Sequence, residues 1–313
     1  MQESLLVLTA VVSVCLIVGV GALLRHLKIL TEQIDKGLMS MIIHVFFPCL
    51  ILDKMIGAEV LRSPAVVFSS AGLGLGLIIA GTAIGWLCAS AMGLSKGSGQ
   101  RTFAVSTGIQ NYGYIAIPLV VSLFQDDDVM AVLFTHNLGV ELAMWTIGTM
   151  LLSGKKALSY KAFIKGPIIA MVIGLALALS HTDDYVPLVL QNTLTVLGQC
   201  AVPLSLILIG ATWYDLFKQV KFDVKISLGG IVVRLLLIPI LFILSAKFLP
   251  ISHELKQVLV IQASLPSAMF PILLSRHYGG RTDIAIQVVA STTVASLFTM
   301  PFIIAFGLKW LNL

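Results

Sequence analysis

Charge is what this chain of 313 residues has least of. Asp, Glu, Lys and Arg together make up 11% of it, where a soluble globular chain carries about 25%. With 58% of its residues hydrophobic, no soluble fold of this length hides the apolar surface, so the chain is read as an integral membrane protein. The net charge of +5 then speaks of loops and not of nucleic acid, because Lys and Arg mark cytoplasmic loops. Cysteine is also sparse. Cys15, Cys49, Cys88 and Cys200 lie in apolar segments at spacings that suit neither a disulfide framework nor a metal site, and no metal or cofactor is expected. The first apolar run lacks both a basic start and a small-residue cleavage site. Its basic cluster, Arg25 to Lys28, follows it. That order predicts a retained span with the N-terminus outside the cytoplasm.

Long apolar runs are what the chain does have. Segments at 5–24, 37–52, 65–92, 102–124, 129–153, 166–181, 187–212, 226–249, 257–275 and 283–307 approach the roughly 20 residues a bilayer asks for. The expected fold is an all-α polytopic membrane protein of ten transmembrane helices. With the N-terminus outside, fourteen of the twenty Lys and Arg fall in cytoplasmic loops, five fall outside, and Arg234 lies within a span. This bias predicts a multi-pass protein of the cytoplasmic (inner) membrane with both termini non-cytoplasmic. The outer acidic groups, Asp126 to Asp128 and Asp183-Asp184, read as solvated loop charges.

A weak repeat runs through the chain. His44-Val-Phe-Phe-Pro48 and Gln199-Cys-Ala-Val-Pro203 place their prolines 155 residues apart, and Pro118 and Pro271 stand 153 apart. Two halves of five spans each must have opposite orientation, because five is odd. Residues 1–153 and 166–313 are therefore expected as inverted five-helix repeats, joined by a cytoplasmic linker at 154–165. Interrupted helices in matching positions of such repeats are how secondary carriers build their sites.

The interruptions are explicit. Thr107-Gly-Ile-Gln-Asn-Tyr-Gly-Tyr-Ile-Ala-Ile-Pro118 lies inside an apolar segment yet reads like a loop. Proline removes a backbone donor and disfavours helix at the residue before it. Gln262-Ala-Ser-Leu-Pro-Ser-Ala-Met-Phe-Pro271 repeats the disruption. In hydrocarbon an unsatisfied backbone group costs several kcal/mol, roughly, so each break must be buried in protein or face a polar cavity. Two crossed breaks would aim half-helix N-termini, each about half a positive charge, at the crossing, which favours an anion. The 153 offset sets Pro266 against Gly113 and Ser264 against Asn111.

In the order of these motifs the chain resembles the auxin efflux carrier family, in its bacterial branch of malate- and malonate-type permeases. Asn111-Tyr-Gly-Tyr-Ile-Ala-Ile-Pro118 is similar to the family's Asn, Gly, aromatic, Gly-x-Pro segment, with Ala116 where glycine is more usual. Phe-Phe-Pro48-Cys-Leu-Ile-Leu, Val-Pro203-Leu-Ser-Leu-Ile-Leu-Ile-Gly210, Ala-Ser-Leu-Pro266 with Arg-His-Tyr278-Gly, and Ser-Thr-Thr-Val-Ala-Ser296 through Pro301 also fit. The resemblance implies a fold shared with bile-acid symporters and sodium/proton antiporters, in which a scaffold bundle faces a core bundle that holds the crossing. It implies small organic acids such as malate, malonate or auxin-like compounds as substrates. The long central cytoplasmic loop of the plant members is absent, which argues against auxin itself.

Polar residues at depth are the site candidates. Asn111 can donate to or accept from a carboxylate or a freed carbonyl, or cap a half-helix. It heads the expected substrate site with Tyr112, Gly113, Tyr114, Pro118, Ser264, Pro266 and Pro271. His44 and Gln199, each four residues before a proline, are expected either to line the cavity or to pack against it. Asn137 and Glu141 share a helix face. Arg234 lies about 13 Å and Glu141 about 18 Å from the same membrane side, counted at 1.5 Å per residue. If the fifth and eighth spans touch, the two are expected to pair, as a structural ion pair or with Glu141 taking up a proton or Arg234 sensing the anion; the alternative is Arg234 snorkelling inward.

The expected function is a secondary carrier for a small organic anion, by alternating access and coupled to protons or sodium. The alternative is a membrane enzyme acting on a lipid or prenyl substrate. No Asp-Asp-x-x-Asp pattern supports the enzyme, and no filter motif supports a channel. Membrane lipids and a second copy of the chain are the remaining expected partners, and no nucleic acid is expected.

Overall fold

The computed structural model describes residues 2–124, 126–153, 164–220 and 222–313, with side chains from Leu5 onward. The expected linker lies outside the described residues except for Ile164 and Lys165. The described residues are helical and form no β-strand. In chain order the helices are α1 (Gln2–His26), α2 (Glu32–Met55), α3 (Pro64–Ala91), α4 (Gln100–Gly108), α5 (Ala116–Leu123) and α6 (Asp127–Ser153). After the linker come α7 (Gly166–Leu179), α8 (Leu188–Gln219), α9 (Val224–Phe248), α10 (His253–Ser264), α11 (Phe270–Tyr278) and α12 (Thr282–Leu311).

Seven of these, α1, α2, α3, α6, α8, α9 and α12, are long and apolar enough to cross a membrane. The segment expected at 166–181 is α7, with 14 residues. At 1.5 Å per residue it reaches about 21 Å, short of a hydrocarbon core of about 30 Å. The segments expected at 102–124 and 257–275 are each a pair of short helices, α4 with α5 and α10 with α11, separated by extended chain.

The helix starts carry the residues that satisfy free N–H groups. Asp126 accepts from the Asp128 N–H, Asp223 from those of Lys225 and Ile226, and Ser252 from that of Leu255. Pro64 opens α3 and Pro167 stands in the first turn of α7. Wide π turns interrupt three long helices, at Ile42–Phe46, Met144–Gly148 and Val233–Leu237. Such turns re-aim the side chains around them. All three contain or adjoin candidate site residues described below.

The heaviest packing falls within two groups of helices, which also touch where α1 meets α12 and α2 meets α6. α1 packs on α8, and α2 on α7 and α8. In the second group, α3 packs on α4 and α6, and α10 on α6, α9 and α12. Glycines set the closest approaches. A Cβ on Gly139 of α6 would overlap the Ala71 carbonyl of α3, and one on Gly74 of α3 would overlap the His136 carbonyl of α6. Gly21 of α1 and Gly210 of α8 stand in the same relation to Ile207 and Val18. In lipid, association relies on contact and not on water exclusion, so small residues that let backbones meet are the driving feature. Large apolar side chains such as Leu16, Phe68, Leu87 and Phe302 face outward, as a lipid-facing surface requires.

Ion pairs close the ends. Arg25 pairs with Asp35 and, at 3.0 Å, with Asp215. At the other end Lys54 meets Asp127 at 2.9 Å. Asp183 is buried, where a solvated loop charge was expected. It accepts from the Gly57 N–H at 3.1 Å and from the Arg62 guanidinium at 3.2 Å. Asp183 therefore ties the loop before α8 to the loop before α3.

Candidate functional site

Both breaks satisfy their own backbone. The Asn111 N–H donates to the Pro266 carbonyl at 2.9 Å, and the Ala268 N–H donates to the Ile109 carbonyl at 2.9 Å. These two bonds form an isolated antiparallel bridge centred on Gln110 and Ser267. The groups freed from two helices thus pair with each other, which removes the cost of leaving them bare in a membrane interior. Helix resumes at Ala116, two residues before Pro118, and at Phe270, one before Pro271. In a first turn neither proline costs a helical hydrogen bond.

Side chains reinforce the crossing. Gln110 Nε2 donates to Gln262 Oε1 at 3.2 Å, and Gln262 Nε2 donates to Asn137 Oδ1 at 2.9 Å. Asn137 Nδ2 donates to the Tyr112 carbonyl at 3.2 Å. This amide chain links α10, α6 and both sides of the first break. Arg234, fully buried, sends Nε to the Leu265 carbonyl at 2.9 Å and Nη2 to the Gln262 carbonyl at 3.0 Å. These carbonyls close the C-terminal end of α10, where a cation offsets the negative end of the helix dipole.

Beside the crossing lies a cavity of about 430 Å³. One wall comes from α2, α7 and α8, with Ile43, Met171, Ser205 and Thr212. The other comes from α6, α11 and the first break, including Asn111, Tyr112, Gly113 and Tyr114. The cavity therefore separates the two packing groups. Its lining is largely apolar, with a few polar groups that converge from the break, as in small-ligand sites generally. The Asn111 side-chain amide makes no hydrogen bond to the described residues and lines the cavity. Glu141 Oε1 accepts from the Tyr112 hydroxyl at 2.6 Å, and Oε2 accepts from Trp145 Nε1 at 2.8 Å. The Lys165 ammonium sits 4.0 Å from the centre of the Trp145 ring.

A family model described as "Membrane transport protein" matches residues 6–162 and 149–304, nearly the whole of this architecture. The chain belongs to this family, the auxin efflux carrier-like membrane transporters. Two archaeal relatives agree. An uncharacterized transporter of Methanothermobacter thermautotrophicus is 25% identical over 300 residues, covering 93% of this chain and 95% of its own. An uncharacterized transporter of Methanocaldococcus jannaschii is 22% identical over 315 residues, covering 96% and 98%.

In this membrane transport protein the expected site residues fall into three sets. Asn111, Tyr112, Gly113, Tyr114, Asn137 and Glu141 line the cavity together. Pro118, Ser264, Pro266 and Pro271 shape the breaks without lining it. The Ser264 hydroxyl returns to the Ile261 carbonyl of its own helix, and Pro266 contributes its carbonyl. The contact across the crossing runs from Asn111 to Pro266, so the repeat offset does not give the contact partners.

His44 and Gln199 do not line the cavity. Both are exposed, and His44 Nδ1 lies 2.9 Å from the Ser40 carbonyl in its own helix. Counting four residues from a proline assumes a regular helix. The π turn at Ile42–Phe46 adds rotation and turns Ile43 and Phe47 inward instead. Nor do Glu141 and Arg234 pair. Glu141 serves Tyr112 and Trp145, Arg234 serves the end of α10, and among the described residues no carboxylate lies within ion-pair distance of Arg234. A similar count of residues from the same side did not imply that the two side chains face each other.

Sequence reasoning missed Gln110, Gln262, Trp145 and Lys165. The two glutamines stand inside the disrupted stretches and were available as polar residues at depth. Lys165 counted only as a loop charge.

Proposed function

We propose that this transporter is a secondary carrier for a small organic anion, such as a dicarboxylate or an auxin-like acid, working across the cytoplasmic membrane by alternating access. The carrying observation is the pair of breaks bridged through Asn111 and Pro266 at the wall of a cavity between two helix groups. A fixed crossing with a cavity on one side is what rocking one bundle against another needs. The first turns of α5 and α11 reach the cavity through Ile117 and Phe270. Their dipoles favour negative charge there.

In this reading the chain crosses the membrane ten times as two inverted five-helix repeats, with α4–α5 and α10–α11 as the broken members. The group of α1, α2, α7 and α8 is the scaffold. The remaining helices form the moving core. The lining residues Met39, Lys165, Pro167 and Thr212 lie toward the start of α2, the start of α7 and the end of α8. Lys28, Lys36, Lys165 and Lys218 stand at or next to those helix ends in the sequence, so in this reading they mark the cytoplasmic side by the charge bias, and the cavity opens there. Glu141 is the proton-coupling group, the one carboxylate among the described residues that line the cavity.

Proteoliposomes holding the full chain test this. Saturable uptake of ¹⁴C-malate or ¹⁴C-malonate, with counterflow against the unlabelled acid, is the expected result. Linear leak without counterflow contradicts it.

A further inference from the structure

The cavity contains one cation among the described residues, and nothing so far gives it a task. Lys165 stands immediately before α7, in the group that packs as the scaffold. Its ammonium reaches across the cavity to the other group, 4.0 Å from the centre of the Trp145 ring of α6 and 5.4 Å from that of Phe270, the first residue of α11. It forms no hydrogen bond or ion pair with the described residues. Among the described residues its three N–H donors face two ring faces, and Glu141 attracts it through charge alone, without an ion pair. The nearest carboxylate, Glu141, already accepts from Tyr112 and from the edge of the same indole.

We propose that Lys165 is the cation that takes the carboxylate of the transported acid, moving off the Trp145 and Phe270 rings to do so. This rests on the carrier reading above and adds to it a recognition residue supplied by the scaffold. The step is an exchange of partners. A cation over a ring gains less than a cation donating charge-assisted hydrogen bonds to a carboxylate. Lysine suits the exchange because it is a compact charge on a flexible four-carbon stem. The free Asn111 amide lines the same cavity, so an acid with two polar ends has a fixed partner on the core and a movable one on the scaffold. Bridged in this way, the substrate ties the two groups together. A neutral amide analogue offers the ammonium no such charge, so the site discriminates for acids.

The test uses full-length protein in proteoliposomes and detergent, with ¹⁴C-malate and ¹⁴C-malonate as probes. Lys165→Met is expected to raise the half-saturating concentration about 30-fold, which is about 2 kcal/mol at 1.4 kcal/mol per tenfold change. Lys165→Arg is expected to restore most of the affinity. A second readout needs no flux. In protein carrying Trp86→Phe, Trp213→Phe and Trp310→Phe, malonate should change Trp145 fluorescence saturably. Malonamide should not, and adding Lys165→Met should abolish the response. If wild-type protein transports these acids and Lys165→Met transports them with unchanged half-saturation, the inference is overturned while the carrier reading stands. If wild-type protein shows no flux and malonate leaves Trp145 unchanged, both are overturned.

Discussion

The main-chain N–H of Asn111 and the carbonyl of Pro266 meet at 2.9 Å, and this bond separates two tasks within one residue. The backbone of Asn111 holds the crossing together. Its side-chain amide lines the cavity, where the proposed carrier places the substrate. Asn111→Ala keeps the N–H and removes the amide. The variant should therefore elute as a monodisperse species in detergent with a melting temperature close to wild type, while uptake of ¹⁴C-malonate falls tenfold to about a hundredfold. That is the size of about 1.5–3 kcal/mol for a hydrogen bond to a charged group. Wild-type uptake in a folded Asn111→Ala protein would remove Asn111 from the site.

Glu141 accepts from Tyr112 at 2.6 Å and from Trp145 at 2.8 Å. Glutamine keeps one acceptor and the shape but cannot exchange a proton. Uptake by the wild-type protein is expected to vary with external pH between 5 and 8 and to follow an imposed proton gradient. In Glu141→Gln the profile should flatten and the gradient should lose its effect. Identical profiles in the two proteins would make Glu141 a purely structural acceptor for Tyr112 and Trp145.

Arg234 holds the last carbonyls of α10 with two different nitrogens. Leucine leaves both carbonyls without partners, at about 1–3 kcal/mol each. Arg234→Leu should lower the melting temperature in detergent by about 3–9 °C, taking about 1.5 °C per kcal/mol from roughly 2.1 cal/mol/K per residue over this chain. Arg234→Lys should recover only part of the loss, because one ammonium does not reproduce the planar fork. Equal stability of Arg234→Leu and wild type would show that α10 is closed by other means.

Gly139 and Gly76 make a paired test of helix contact. A Cβ at Gly139 would overlap the Ala71 carbonyl, while one at Gly76 meets nothing within 4 Å. Gly139→Ala should force α3 and α6 apart and destabilise the protein by about 1–3 kcal/mol or more, the usual cost of overpacking. Gly76→Ala should be neutral or stabilise by about 0.5–1 kcal/mol, since alanine is the better helix former. Equal melting temperatures for the two variants would contradict the α3–α6 contact.

Much of this architecture was legible because proline and glycine leave marks that do not depend on tertiary context. Pro118, Pro266 and Pro271 located both breaks, and Asn111 through Tyr114 emerged as cavity residues because a polar, glycine-containing run inside a span has few other uses. Direction around a helix was not legible. His44 and Gln199 were placed by counting from a proline, and the π turn at Ile42–Phe46 rotates the chain in a way composition does not announce. Pairing was not legible either. Arg234 and Glu141 were matched by counting residues from one side, yet each found a nearer partner. Lys165 was hidden for a third reason, since a lysine beside a basic loop looks like every other lysine there until the fold shows its stem crossing a cavity.

The most direct test of the central claim is an experimental structure of the protein with malonate bound. The account predicts density for the acid in the cavity between the two helix groups, with an oxygen within hydrogen-bond reach of the Asn111 amide and the Asn111–Pro266 bond intact. Malonate bound away from the crossing, or residues 109–115 and 265–269 found as continuous helix, would contradict it.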